Sequence, residues 1–260
     1  MRSGVDVVIH FAAESHVDKS IAQPAAFVQT NVVGTQTMLA SAHKFGVQKF
    51  IQISTDEVYG SLAPNAPAFT EQSPLQPNSP YAATKASADL LVRAYRQTYG
   101  LNVNITRCTN NYGPFQYPEK LIPHMILKAI DGVDLPVYGD GLHVRDWLHV
   151  WDHCKAIDLI IQRGRPGEVY NIGPNNERTN LEIVKAILQV TDKSESLISH
   201  IEDRLGHDRR YAIDATKIRA ELGWRPRYTF NAGISETIRW YLNNPTWLRQ
   251  MTTSVGKDVK

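Results

Sequence analysis

Tyr81 and Lys85 lie four residues apart in SPYAATKASAD, a stretch with helical periodicity. At that spacing two side chains share one face of a helix. An ammonium beside a phenol favours the phenolate and lowers its pKa toward neutrality, which would make Tyr81 a usable general base. The same ammonium can bond a ribose hydroxyl. A Tyr-x-x-x-Lys spacing also arises by chance as a surface pair, so its meaning depends on what accompanies it. A second cluster is Thr55, Asp56 and Glu57, in STDEVYG directly after the strand-like FIQIS. Two adjacent carboxylates in extended backbone point to opposite faces, so both reach one ligand only from a turn or a helix start. The plainer reading is a helix N-terminus, with Thr55 or Asp56 as cap and the acids complementing the dipole.

Three more groups carry chemistry. HFAAESH, from His10, sets the small Ala12 and Ala13 beside Ser15 at the end of an apolar run. Small side chains let a cofactor approach the backbone and Ser15 can bond a phosphate or sugar; tight helix–sheet packing would use the same residues. Asn110 and Asn111 open NNYGP after another strand-like run. Their amides suit a carboxamide or a sugar hydroxyl, and equally suit a turn. Arg145 and the trio His207, Arg209 and Arg210 have the chemistry to clamp a diphosphate. Scattered arginines are more commonly solvated surface charges.

The elements that must position these residues alternate short β-branched runs with longer amphipathic ones, the pattern of βαβ units and a parallel sheet. Strands are expected at 5–11, 50–54 and 103–107, and helices at 24–45 and 81–99. Gly46 and Gly100 stand just past the two helices, and Pro24 falls in a first turn. The five prolines within 61–80 mark a surface loop. Beyond Asn110 the texture changes to shorter, aromatic-punctuated pieces. Helices are expected at 121–131, 151–162, 181–190 and 232–242, with a short strand at 168–172. A second, substrate-facing lobe therefore begins near Gly113, and the last residues, from Thr252, read as frayed.

A dinucleotide-binding sheet ordinarily opens with a strand and a glycine-rich turn whose amides hold a pyrophosphate. Nothing of that kind precedes Val5. The sequence is thus expected to enter its sheet at what would be the fourth strand.

Composition limits the partners. Of 260 residues, 28 are Lys or Arg and 26 Asp or Glu, a formal charge of +2, with no basic run to suit nucleic acid or an anionic membrane. An apolar share of 42% at near-zero charge can build a real core and is unlike a disordered chain. Cys108 and Cys154 are too few for a disulfide framework or a cysteine-rich zinc site, and no metal site is expected. No apolar run approaches a membrane span, and a cytoplasmic location is expected.

Taken in order, these segments resemble the extended short-chain dehydrogenase/reductase family of nucleotide-sugar enzymes, the NAD-dependent epimerases and dehydratases. The resemblance rests on AAESHVDKSI from Ala12, TNVVGT from Thr30, STDEVYG from Ser54, YAATK from Tyr81 and NNYGP from Asn110. It continues through PEKLIP from Pro118, LPVYGDGLHVRDWLHV from Leu135, YNIGPNNERTNLEIV from Tyr170 and GHDRRYAID from Gly206. It runs from Val5 to about Trp247. The Thr-Asp-Glu triplet selects the 4,6-dehydratase branch, for which dTDP-glucose is the implied substrate. Sugar epimerases and decarboxylases are the alternatives on the same scaffold. A chain lacking the glycine-rich segment, and only binding a nucleotide sugar or a partner subunit, is the alternative of another kind.

The resemblance implies a doubly wound Rossmann-like α/β fold. Residues 1–113 would be a partial NAD-binding domain; 114–260 would be mainly a nucleotide-sugar lobe, with some segments returning to the sheet. It implies NAD bound by Ala12, Ala13, Ser15, Thr30, Tyr81, Lys85 and Asn111. Ser15, Thr55, Asn110, Lys120, Leu121, Pro136, Val137, Tyr138, Arg145, Asn180, His207 and Arg210 would hold the substrate. Tyr81 would be the base at sugar carbon 4, Glu57 the base at carbon 5, and Asp56 the acid for the hydroxyl leaving carbon 6. It also implies a homodimer joined by helices 24–45 and 81–99.

Overall fold

The computed structural model describes residues 4–255. The chain begins with strand β1 (Val7–His10) and helix α1 (Val17–Ala22). A continuous helical run follows, made of α2 (Pro24–Phe27), a π-helical segment (Val28–Val33) and α3 (Gly34–Lys44). Strand β2 (Lys49–Thr55) passes directly into a 3-10 turn (Asp56–Tyr59), and after a long loop come α4 (Pro80–Tyr99), β3 (Val103–Cys108) and β4 (Asn110–Tyr112). Next are α5 (Leu121–Asp131), β5 (Leu135–Tyr138), β6 (Val144–His149) and α6 (Val150–Arg163). Then β7 (Val169–Ile172), β8 (Glu177–Thr179), α7 (Asn180–Val190), β9 (Ile198–Ile201), α8 (Thr216–Leu222), α9 (Phe230–Asn243) and α10 (Pro245–Val255) complete the order.

The main sheet is parallel throughout, in the order β1-β2-β3-β7. All seven residues of β2 are buried, as expected of a strand covered on both faces. On one face Leu39 of α3 and Val92 of α4 pack on Phe50, Val103 and Ile105. On the other, Ile157 and Ile160 of α6 and Ile218 and Leu222 of α8 pack on Ile51, Ile53 and Ile172. A separate core joins α5, α7 and α9 around Ile126, Ile187, Ile238 and Tyr241. Strand β7, from the second half of the chain, pairs with β3 in this sheet.

Local chemistry sets the element ends. Ser79 caps α4 by accepting from the Ala82 amide, Pro80 occupies the first turn, and Gly100 closes the helix in the left-handed region. Helix α7 starts with a reciprocal capping box between Thr179 and Glu182.

Some boundaries differ from the sequence expectation. The helix at 24–45 carries a π-helical segment, which turns Asn31 inward. There its amide exchanges hydrogen bonds with the Glu14 backbone and donates to Thr84, so the helix distortion anchors the loop after β1. The short strands β4, β5, β6, β8 and β9 escape a periodicity argument, since they belong to two- and three-stranded sheets built from runs of three to six residues. The tail from Thr252 continues as helix to Val255 instead of fraying there; 256–260 lie outside the described residues. No helix among the described residues is long and apolar enough to cross a membrane.

Candidate active site

Parallel register brings the loops after β1, β2 and β3 to one end of the sheet, where open α/β sheets bind ligands. The turn after β2 resolves the problem of adjacent carboxylates. Thr55 keeps extended backbone and caps the turn, its hydroxyl accepting from the Glu57 amide at 3.2 Å, and the 3-10 geometry then swings Asp56 and Glu57 off the strand. Gly60 ends the turn at φ 87°, and a Cβ there would run into the Gln76 carbonyl. Capping leaves Thr55 beside the two acids of the turn.

Asp56 is 2% exposed, bonded to the Thr55 hydroxyl at 3.3 Å, and its Oδ2 has no partner among the described residues. Burial pushes its carboxyl well above the carboxylate range, and the neighbouring Glu57 adds to this. Glu57 is only part-buried and opens onto a cavity of about 600 Å³. Burial raises it too, but Arg145, Arg204 and Lys120 pull it back toward the ionised form. The surroundings thus push Asp56 further toward its protonated form than they leave Glu57.

Tyr81 and Lys85 are both buried on the inner face of α4. Tyr81 senses Glu57 and Asp56 and lies near the Thr55 hydroxyl, so the phenol, the hydroxyl and both acids form one cluster. Its direction of shift is opposite to the sequence expectation. Burial, then Glu57, raise the phenol well above its ordinary value. Lys85 donates to the Ile53 carbonyl at 2.6 Å instead of acting on the phenol, and burial lowers its own pKa. Cys108, close to both Asp56 and Lys85, has its thiol pushed up to about 12 by burial.

The residues fit a dinucleotide on one physical ground: the buried Lys85 ammonium has three protons and a single acceptor, Ile53 O, among the described residues. A ribose hydroxyl would use that capacity. Ala12 and Ser15 are exposed in the coil after β1, Ala13 is half-buried beside them, and Thr30 is half-buried on the π-helical segment. Asn111 is engaged internally: its Nδ2 donates to Thr109 O and Cys108 Sγ, and its Oδ1 faces His153 Nδ1 at 2.9 Å.

Of the substrate positions read from the sequence, Ser15, Asn110, Lys120, Leu121, Pro136, Val137, Tyr138, Arg145, Asn180 and His207 line the cavity together with Glu57. Thr55 and Arg210 do not. The His207–Arg209–Arg210 trio does not converge. Arg209 pairs with Asp140, and Arg210 is held by both oxygens of Glu177 at 2.6 and 2.8 Å. From that loop it is Arg204 that reaches the cavity, beside Lys120 and Arg145, and sequence reasoning missed it. Its signal was its place three residues before His207 in a glycine-containing loop. Tyr211, under the Arg145 guanidinium at 4.2 Å, and Glu119 were missed as well.

His143, Asp203 and His207 bring donor atoms within 4.8 Å of one another. The two rings stack at 3.6 Å and 15°, and Asp203 bridges both. Burial takes His207 down to about 4, which keeps it neutral.

The sequence model of the family described as GDP-mannose 4,6 dehydratase matches residues 2–237. The chain is 53% identical over 262 residues to dTDP-glucose 4,6-dehydratase of Xanthomonas campestris pv. campestris, covering 94% of this chain and 74% of the relative. It is 50% identical over 274 residues to dTDP-glucose 4,6-dehydratase of Escherichia coli, covering 95% and 76%. The crystal structure of DesIV, a dTDP-glucose 4,6-dehydratase from Streptomyces venezuelae with NAD and TYD bound, superposes with a TM-score of 0.93 at 52% identity, over 95% of this chain and 76% of DesIV. UDP-glucose 4-epimerase of Thermus thermophilus, in complex with NAD, reaches a TM-score of 0.87 at 28% identity, over 92% and 78%. Sequence match, fold and site together make this chain a member of the GDP-mannose 4,6 dehydratase family.

Proposed function

We propose that the chain is an NAD-dependent nucleotide-sugar 4,6-dehydratase, a hydro-lyase that converts dTDP-glucose to dTDP-4-keto-6-deoxyglucose. The observation that carries this reading is the acid pair: Asp56, enclosed and pushed toward its protonated form by burial, beside Glu57, which faces three cations. Elimination of water needs one carboxyl to give a proton and another to take one. The relatives at 50–53% identity, described as dTDP-glucose 4,6-dehydratases, support the same substrate.

In this reading Tyr81 takes the proton from the carbon 4 hydroxyl, and Thr55 holds that oxygen. NAD+, when bound, would supply a hydride acceptor for the oxidation at carbon 4 and, in its reduced form NADH, the hydride donor for carbon 6. Protonation of Asp56 removes one of the negative charges that raise the Tyr81 phenol, easing its ionisation. Once carbon 4 is a ketone, Glu57 removes the acidified proton of carbon 5, and Asp56 protonates the departing carbon 6 hydroxyl. Lys85 and the residues of the loop after β1 hold the cofactor. Arg145, Arg204, Lys120 and the neutral His207 hold the diphosphate, and the apolar wall of Leu121, Pro136 and Val137 takes the base. A homodimer is part of the proposal, supported by the exposed Val28, Val33, Leu90 and Tyr99 on the two helical elements concerned.

Incubation with NAD+ and dTDP-glucose tests the reading. A 4-keto-6-deoxy product from the protein, and little from Asp56→Asn, is the expected result. An epimerised sugar would replace it with the epimerase alternative. Nucleotide-sugar binding without turnover would favour a non-catalytic binding protein.

A further inference from the structure

Tyr81, Lys85 and Asp89 form a stripe at i, i+4 and i+8 along the inner face of α4, all three buried. The function above uses the first two and leaves the third without a task. Asp89 is 2% exposed and accepts from Arg107 Nε of β3 at 2.9 Å. The same guanidinium donates through Nη1 to the Tyr59 hydroxyl at 2.9 Å and lies over the Tyr59 ring. Tyr59 is the last residue of the 3-10 turn that carries Asp56 and Glu57. Its hydroxyl in turn donates to Asn171 Oδ1 of β7 at 2.8 Å, and its ring stacks on Phe69.

A buried ion pair is a poor device for stability alone. Desolvating both charges costs much of what their attraction returns, and a well-packed apolar pair often does as well. What the charged arrangement does supply is geometry. A planar guanidinium with donors in fixed directions ties two elements at set angles. Here those elements are the helix bearing Tyr81 and Lys85 and the turn bearing Asp56 and Glu57. They come from separate parts of the chain, joined by a long loop, and must meet on one ring.

We propose that Arg107 is a positioning residue, which holds the Tyr81–Lys85 helix and the Asp56–Glu57 turn in register by bonding Asp89 on one side and Tyr59 on the other. The proposal rests on the dehydratase reading for its consequence in turnover, though not for the coupling itself. Arg107 touches neither the cavity nor the reacting atoms.

Tyr59→Phe is the informative variant, because it removes one hydroxyl and leaves the ring on Phe69. Amide hydrogen exchange across 55–60 and 81–89, thermal unfolding, dTDP binding by calorimetry, and kcat and KM for dTDP-glucose are measured together. The expected result is faster exchange in 55–60 with the helices of the distant core unchanged, unaltered dTDP affinity, and kcat lower by about tenfold at constant KM. Arg107→Lys, which keeps the charge and loses the fork, should resemble it. Unchanged exchange in 55–60, or exchange raised everywhere in step with a lower melting temperature, overturns the proposal. If the wild type fails to turn over dTDP-glucose while exchange in 55–60 still rises in Tyr59→Phe, the dehydratase reading falls and the coupling stands.

Discussion

Asp56 and Glu57 are neighbours on one turn, yet their carboxyl groups meet opposite surroundings. Glu57 looks into the cavity toward Arg145, Arg204 and Lys120, whereas Asp56 is enclosed and senses Glu57 and Asp146 as well as Arg145. One peptide unit thus separates a carboxyl pushed strongly toward its protonated form from one that nearby cations hold closer to the ionised form. The difference comes from which way the 3-10 backbone aims each side chain.

The buried acid has a stability signature. Its folded pKa lies above its unfolded one, so the folded state keeps a proton that the unfolded chain releases, and stability declines as pH rises above the ordinary aspartate range. Asp56→Asn carries no such penalty. Its melting temperature should exceed that of wild type at pH 8 and approach it near pH 4, while turnover falls by about 10²- to 10⁴-fold. Equal melting curves at both pH values would contradict the enclosed acid.

Tyr81→Phe removes the proposed base without opening a cavity. Activity should fall by about 10²- to 10⁴-fold while dTDP affinity, measured by calorimetry, stays at the wild-type value. A variant that binds dTDP poorly would mean that the phenol serves binding instead.

Arg145 bridges the acid pair and the cavity, with its guanidinium over Tyr211. Arg145→Lys keeps the charge and loses the planar contact, and dTDP binding should weaken by about 1.5–3 kcal/mol. Calorimetry at two salt concentrations checks this. A change confined to kcat would shift its role from binding to the chemical step.

The histidines set an acid limit. Burial holds His153 at about 4, below the unfolded value of 6.5. A lowered histidine leaves the unfolded state with more protons, so stability is full above pH 6.5 and is lost as pH falls toward 4. This group contributes about 3 kcal/mol across that window. His153→Gln should flatten the fall in melting temperature between pH 6.5 and 4.5, and an unchanged slope would assign the acid limit elsewhere.

Much of the site was legible because its residues are local in sequence. Thr55, Asp56 and Glu57 are consecutive, Tyr81 and Lys85 are one helical turn apart, and strands β2 and β3 are apolar runs that need no tertiary context. Two adjacent acids that must share one side need a turn, and the 3-10 segment is that turn. Long-range electrostatics were not legible. Whether Lys85 lowers the Tyr81 phenol depends on where its ammonium is drawn, and the Ile53 carbonyl lies across the chain in β2. Arg209 and Arg210 were singled out over Arg204, yet Asp140 and Glu177 hold those two while Arg204 lines the cavity. The π-helical segment was also hidden, since the contacts of Asn31 with Glu14 and Thr84 that accompany it are long-range.

The rim of the cavity is stitched by charge between α1 with its preceding loop and the second half of the chain. Lys120 donates to Ser15, Lys19 pairs with Glu119, and Asp18 meets both Arg204 at 3.0 Å and the Tyr138 hydroxyl at 3.3 Å. Two of those cations, Lys120 and Arg204, are ones an incoming diphosphate would claim. Entry of the ligand and loosening of this seam are therefore exchange reactions on shared partners. Ionic strength would enter twice, screening the stitches and the ligand alike, so the rate of nucleotide entry need not follow its affinity as salt is raised.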